Sequence, residues 1–290
     1  AIPGFQKGGK TTGPKAWAER VESAMDYGYQ LLRHVLQQVF GNLKEAAQLT
    51  LFLFLLPFAG FIALGLNQFT TGAPVNPEVV GGAVGGALLI LVLGVFCYCW
   101  AAVGWHRYVL LEETGNGFLP EFRGSNIVSY FGRILLVGLV LIAVLIAAMI
   151  VIVAVAAAVQ SQFILLLFGI GLVFGVSWMA TRIGLILPAA ALGERMTIGE
   201  SWVATRPVSS QILLPLIVIA LAAGLINQAI LLVLGQSVSV PDMFGVMQEM
   251  RVLTLPGQIV SGVVSWLQVL VNLALMTTLY GNLIEGRQLN

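Results

Sequence analysis

The sequence predicts an all-α integral membrane protein: six transmembrane helices paired as three hairpin repeats, with amphipathic helices at the cytoplasmic interface. Three observations lead there. The chain is 58% hydrophobic and only 9% charged, with a mean hydropathy of +0.94, whereas a water-soluble domain carries roughly 25% charged residues. Its apolar residues gather into six continuous runs rather than alternating, which excludes a β-barrel. Its basic residues fall between those runs, nearly all on one side.

A helix rises about 1.5 Å per residue, so crossing a hydrocarbon core of about 30 Å takes about 20 apolar residues. The qualifying spans lie at about 48–67, 80–104, 134–158, 162–187, 211–234 and 257–284. The first three hold no Asp, Glu, Lys or Arg. Before the first span come Lys7, Lys10, Lys15, Arg20, Arg33 and Lys44. Arg107, Arg123 and Arg133 follow the second, Arg182, Arg195 and Arg206 gather around the end of the fourth, and Arg287 closes the chain. That is thirteen of the fourteen basic residues on one side, against Arg251 alone on the other. By the positive-inside rule both termini are expected to be cytoplasmic.

Residues 1–15 read as a polar tail, 16–47 as an amphipathic interfacial helix and 48–290 as the six-span membrane domain. Along the interfacial segment, Val21, Met25, Tyr29, Leu32, Leu36, Val39 and Leu43 recur at steps of three and four, placing one apolar stripe on a helix. The stripe suits a helix lying on the leaflet beneath its own bundle. It also suits a docking helix for a partner protein, since the spacing fits a coiled-coil seam.

Short similarities tie the hairpins together. The third and fifth spans begin ILLVGLVLIAVLIA and ILLPLIVIALAAGLI; the second and fourth end in WAAVGWHRYVLL and WMATRIGLILP. In the latter pair a tryptophan is followed by small residues and then an arginine at the membrane exit. Trp105, His106, Arg107 and Arg182 are therefore expected to contact lipid headgroups, where amphipathic rings and snorkelling guanidinium groups settle. Cys97 and Cys99 are two apart on a helix, point away from each other and suggest no metal or redox site.

Chemistry is sparse. No span carries a carboxylate, which disfavours an ion-coupled pump. HExxH, GxSxG, Walker and dinucleotide-binding patterns are absent. The intramembrane polar residues are Asn227, Gln228, Gln268 and Asn272, expected to hydrogen-bond across the last two spans. The outer segment SVSVPDMFGVMQEMRVLTLPGQ suggests a short amphipathic lid built on Met243, Phe244, Met247 and Met250.

The stretches AVGWHRYVLLEE (102–113) and MTIGESWVATRP (196–207) resemble the multi-span membrane domain fused to some bacterial glycerophosphodiester phosphodiesterases, a domain with many stand-alone relatives. The resemblance covers about residues 35–285. It implies six spans in a bacterial inner membrane. No phosphodiesterase domain accompanies it, so that family's catalytic residues have no counterpart here.

Together these readings predict a non-catalytic accessory or scaffold subunit of a larger inner-membrane assembly, with membrane lipids and other membrane subunits as partners. No cofactor is expected, and a net charge of +1 offers nothing to nucleic acid. The alternative is a transporter or handler of lipid or another small amphiphile. A third reading is an enzyme acting on lipid headgroups through His106 with Glu112 or Glu113.

Overall fold

A computed structural model describes residues 14–68, 77–115, 117–159, 161–241 and 247–289. The chain runs α1 (Pro14–Phe40), α2 (Leu43–Ala63), α3 (Pro77–Leu111), α4 (Gly124–Val159), α5 (Gln162–Ile183), α6 (Ile186–Leu192), α7 (Ile198–Ala204), a 3-10 turn (Arg206–Val208) and α8 (Leu213–Leu234). A two-stranded antiparallel hairpin of β1 (Gly235–Pro241) and β2 (Met247–Leu253) then leads into α9 (Leu255–Leu283).

Six helical segments are long and apolar enough to cross a membrane: 43–63, 81–111, 124–157, 162–192, 213–234 and 255–283. They coincide with the six runs read from the sequence, and the chain is a multi-pass membrane protein. The helices outrun the apolar runs at the end where the basic residues lie, called here the basic end. There α3 and α4 continue to Leu111 and back to Gly124.

The segment 16–47 is two helices rather than one. Gly41 and Asn42 form a tight turn between α1 and α2, with Gly41 N–H donating to the Gln37 carbonyl at 2.8 Å. A Cβ at Gly41 would lie 2.6 Å from that same oxygen, so the elbow needs glycine. Near Arg182 the helix is interrupted at Gly184 and Leu185, both still right-handed, and continues as α6, which packs on α3, α4 and α9 and ends in Gly193 with a left-handed φ of 83°. A capping box of Thr197 and Glu200 starts α7. At the opposite end the segment expected to form a short amphipathic lid is a strand pair with Val238 opposite Met250; Met243 and Phe244 lie outside the described residues.

The main core sits at the basic end. Its hub is the second half of α9, buried on nearly every side from Trp266 to Gly281, which touches α1, α2, α3, α6 and α8. Against it pack Leu31, Val35 and Val39 of α1, Ala102 and Trp105 of α3, Tyr130 of α4 and Ala189–Ala191 of α6. Gly28 lets α1 cross α8 closely: a Cβ there would stand 2.8 Å from the Gln211 carbonyl. Away from this end the helices stand apart, and none of the most apolar window of α4 or α5 is buried in protein. Lipid covers such surfaces without penalty, because acyl chains are as apolar as the side chains they meet.

Candidate functional site

Alongside the packed core, α2, α3 and α9 flank an open cavity of about 720 Å³, to which Ile134 of α4 and Leu253 of β2 also contribute. Its walls run from Thr50, Ala101 and Leu273 at the basic end to Phe61, Leu253 and Gln258 at the other. Between Gln258 and Leu273 the wall is one continuous stretch of α9, which at 1.5 Å per residue measures about 22 Å. Pro57 lies mid-wall within α2; it has no N–H, so the Leu53 carbonyl one turn earlier loses its helical donor. Gly94 and Gly262 keep the opposing helix faces low, with the Phe58 ring 3.5 Å from where a Gly262 Cβ would stand.

The lining is apolar and aromatic (Phe54, Phe58, Phe61, Tyr98, Trp266) and contains no Asp, Glu, Lys, Arg or His among the described residues. Its polar groups are few. Thr50 is committed to the protein: it donates to the Ala46 carbonyl (2.7 Å) and accepts from Trp266 Nε1–H (2.9 Å). Ser261 and Ser265, one turn apart on α9, are half-buried, line the cavity and make no hydrogen bond to a described residue. The site therefore offers the Ser261 and Ser265 hydroxyls, with the Gln258 carboxamide and the Tyr98 hydroxyl also on its wall, inside an apolar, uncharged slot. That pattern suits a ligand with an apolar body and one or two oxygen atoms.

Below the cavity a buried polar chain locks α3, α4 and α9. The Thr277 hydroxyl donates to the Leu273 carbonyl (2.7 Å), so its oxygen accepts from His106 Nδ1–H (2.7 Å). Nε2 is left as acceptor for the Tyr130 hydroxyl at 3.3 Å. Tyr130 in turn interacts through its hydroxyl with Tyr98, which lines the cavity. This network assigns the imidazole one neutral tautomer, with both nitrogens engaged.

Four of the sequence-predicted residues thus need correction. Trp105 and His106 are fully enclosed in protein and Arg182 is 5% exposed, so none displays itself to headgroups. The membrane exit is covered by α6 and by the loop after α3, which periodicity does not reveal. Arg107 is likewise turned inward: Nε and Nη2 grip Glu113 bidentately at 2.8 and 2.5 Å, and Nη1 donates to the Ala191 carbonyl at 3.0 Å. The Arg107 guanidinium holds the Glu113 carboxyl below the usual carboxylate range, with Arg123 adding a smaller contribution. Arg182 lies over Trp202 (3.5 Å to the ring centroid) and beside Trp178 (4.9 Å), and donates to Thr205 Oγ1 and the Trp202 carbonyl.

The four intramembrane amides do not meet. Asn227 and Asn272 are exposed and each donates to the carbonyl one turn back on its own helix, Ala223 and Gln268 respectively. Gln228 is exposed, Gln268 is half-buried, and none of the four lines the cavity. The α1 stripe is divided. Val39 is buried in the core, whereas Met25 is 55% and Tyr29 62% exposed, with Leu36 and Leu43 also exposed and Leu32 half-buried. The side chain of Val21 lies outside the described residues. The buried seam of α1 is instead Gly28, Leu31, Val35 and Val39. Hydrogen bonds from Tyr27 to Asn282 (2.7 Å) and from Thr278 to Gln38 (3.2 Å) hold it to α9, and burial pushes the Tyr27 hydroxyl up to about 12.

No group of three or more His, Cys, Asp or Glu side chains among the described residues is placed to hold a metal ion. Cys97 and Cys99 are both buried as free thiols in separate apolar clusters, Cys97 on the cavity wall. No family model, curated protein or solved structure matches the chain. The resemblance carried by residues 102–113 and 196–207 accordingly remains an expectation.

Proposed function

We propose that the protein binds a lipid or another small amphiphile within the bilayer, and that the α2/α3/α9 cavity is the seat of its uncharged part. The single observation carrying this reading is the cavity itself. It is about 720 Å³, free of ionisable Asp, Glu, Lys, Arg and His side chains, and equipped with the free hydroxyls of Ser261 and Ser265. An apolar pocket with a few convergent polar groups is the ordinary form of a small-molecule site. The activity is handling rather than ion-coupled pumping, since no span offers a carboxylate for a proton or sodium ion.

The test is mass spectrometry of extracted lipids after gentle purification. The wild type should carry a co-purifying neutral lipid or amphiphile that Gly262→Leu, which fills the slot, reduces at least tenfold while the protein elutes unchanged. Equal lipid content in both would end this reading.

A second reading, an accessory subunit of a larger assembly, draws on the exposed face of α1. Met25, Tyr29, Leu36 and Phe40, with Leu43 at the start of α2, form an apolar band beside the seam that faces the bundle. In the proposed arrangement the basic end is cytoplasmic, the six spans are three hairpins, and this band meets the leaflet or a partner subunit. Tyr29→Glu separates the two: loss of co-migration with a large complex on native gels supports a partner, and unchanged migration supports lipid.

A further inference from the structure

We propose a second site, distinct from the cavity: an anionic phospholipid seated between α5 and α8, its phosphate on Arg206 and its acyl chain in the groove beneath. The charges come first. Arg182 is enclosed at the end of α5 and held by an indole face, a hydroxyl and a carbonyl, with no carboxylate in ion-pair reach among the described residues. Arg206 is exposed on the turn after α7, next in the chain to Thr205, whose hydroxyl Arg182 engages. The neighbouring carboxylates are engaged elsewhere: Glu194 accepts from the Tyr280 hydroxyl, and Glu200 closes the capping box of α7. A buried cation without a counter-charge is unfavourable, and an anionic headgroup on the adjoining turn supplies one.

The shape comes second. Beside Trp178 lies an open groove of about 310 Å³ lined by Phe174, Gly175, Trp178, Ser209, Ser210 and Leu213. Its basic end carries the Ser209 and Ser210 hydroxyls, next to Arg206 in sequence, and its other end is apolar. Trp178 is pinned by donating Nε1–H to the Ser209 carbonyl (2.6 Å) and meets Trp202 edge to face. Paired tryptophans beside an arginine mark headgroup depth. A Cβ at Gly175 would meet nothing within 4 Å, so there is room for a chain along the groove floor.

The experiment is native mass spectrometry of the full chain in detergent, titrated separately with phosphatidylglycerol, phosphatidylcholine and inorganic phosphate. Phosphatidylglycerol should bind in preference to phosphatidylcholine. Arg206→Gln, on an exposed residue, should weaken that preference about fivefold, the scale of one arginine at an anionic surface. Gly175→Leu should weaken both lipids alike by filling the groove, and should leave the fold intact because the space is open. Equal binding of the two lipids, or an Arg206→Gln variant indistinguishable from wild type, would overturn the proposal. Phosphate binding as tight as the lipid's, with Gly175→Leu without effect, would replace the lipid by a free anion and overturn it too. Neither Arg206 nor Gly175 touches the α2/α3/α9 cavity, so failure here leaves the neutral-lipid reading standing, and the reverse.

Discussion

At the basic end Leu31, Trp105, Tyr130, Leu185 and Leu279 are sealed within protein, whereas Ile150, Leu166 and Leu225 of the opposite half are more than half exposed. The residues are equally apolar, so hydrophobicity alone does not explain which end packs. The polar groups do. His106, Thr277, Tyr130, Arg107, Glu113 and Arg182 each need partners that lipid cannot supply; satisfying them draws α3, α4, α6 and α9 together and ties α5 to the end of α7. In the other half the side chains are mostly apolar, and lipid substitutes for neighbouring helices. Room for a ligand is left there, between helices whose positions are set from below.

This contrast is broken most directly by truncating one leucine-sized side chain in each half. Leu279→Ala at the packed end removes contacts that nothing refills and is expected to destabilise by about 2–4 kcal/mol. Ile150→Ala, whose side chain is 67% exposed, exchanges protein–lipid contact for more lipid and should change stability by less than about 0.5 kcal/mol. Reversible unfolding in mixed micelles would measure both. Comparable losses at the two positions would mean that the upper half is packed against something, and would favour the accessory-subunit reading.

Much of this architecture was legible in the sequence, for identifiable reasons. Span number follows from apolar length, and the sidedness of the charges follows from where Arg107, Arg182 and Arg287 fall. What escaped was burial around those charges. Arg182 looks like a membrane exit because apolar GLILPAAALG follows it, yet that stretch carries on as α6 and is itself buried in the bundle. On α1, Leu31 and Leu32, then Val35 and Leu36, are neighbours on two adjacent faces. Heptad-like spacing therefore fits either face, and only the close approach allowed by Gly28 decides which one packs. Asn227 and Asn272 sit on apolar helices whose rotation the pattern leaves undetermined. The cavity draws on five separate segments and has no local signal beyond the pair Ser261 and Ser265.

A finer probe of the packed end is its hydrogen-bond chain. Tyr130→Phe removes the donor to His106 Nε2 and leaves a buried acceptor without a partner, which should cost about 1 kcal/mol. Combining it with His106→Leu should be less damaging than the sum of the two, with a coupling of about 0.5–1 kcal/mol in a double-mutant cycle. Strict additivity would show that the two rings are neighbours without a functional bond. Because Tyr98 connects this chain to the cavity wall, the same variants also test whether polar locking below shapes the slot above. Lipid retention by Tyr130→Phe should fall, though less than with Gly262→Leu.

The smallest expected effect lies at the rim, where the packed end meets water. Glu113 is ionised in the grip of Arg107, and its folded-state pKa is depressed relative to the unfolded chain. A depressed carboxylate contributes stability that is present above the ordinary carboxylate range and is lost as pH falls through the folded-state value. The side chain is 32% exposed, so screening limits the contribution to under about 1 kcal/mol. The thermal midpoint in detergent should therefore decline on acidification below about pH 4.5, and Glu113→Gln should flatten that decline while lowering stability slightly at neutral pH. An unaltered acid profile in Glu113→Gln would assign the decline to other carboxylates and reduce the Arg107 pair to a positioning contact that orients the guanidinium toward the Ala191 carbonyl.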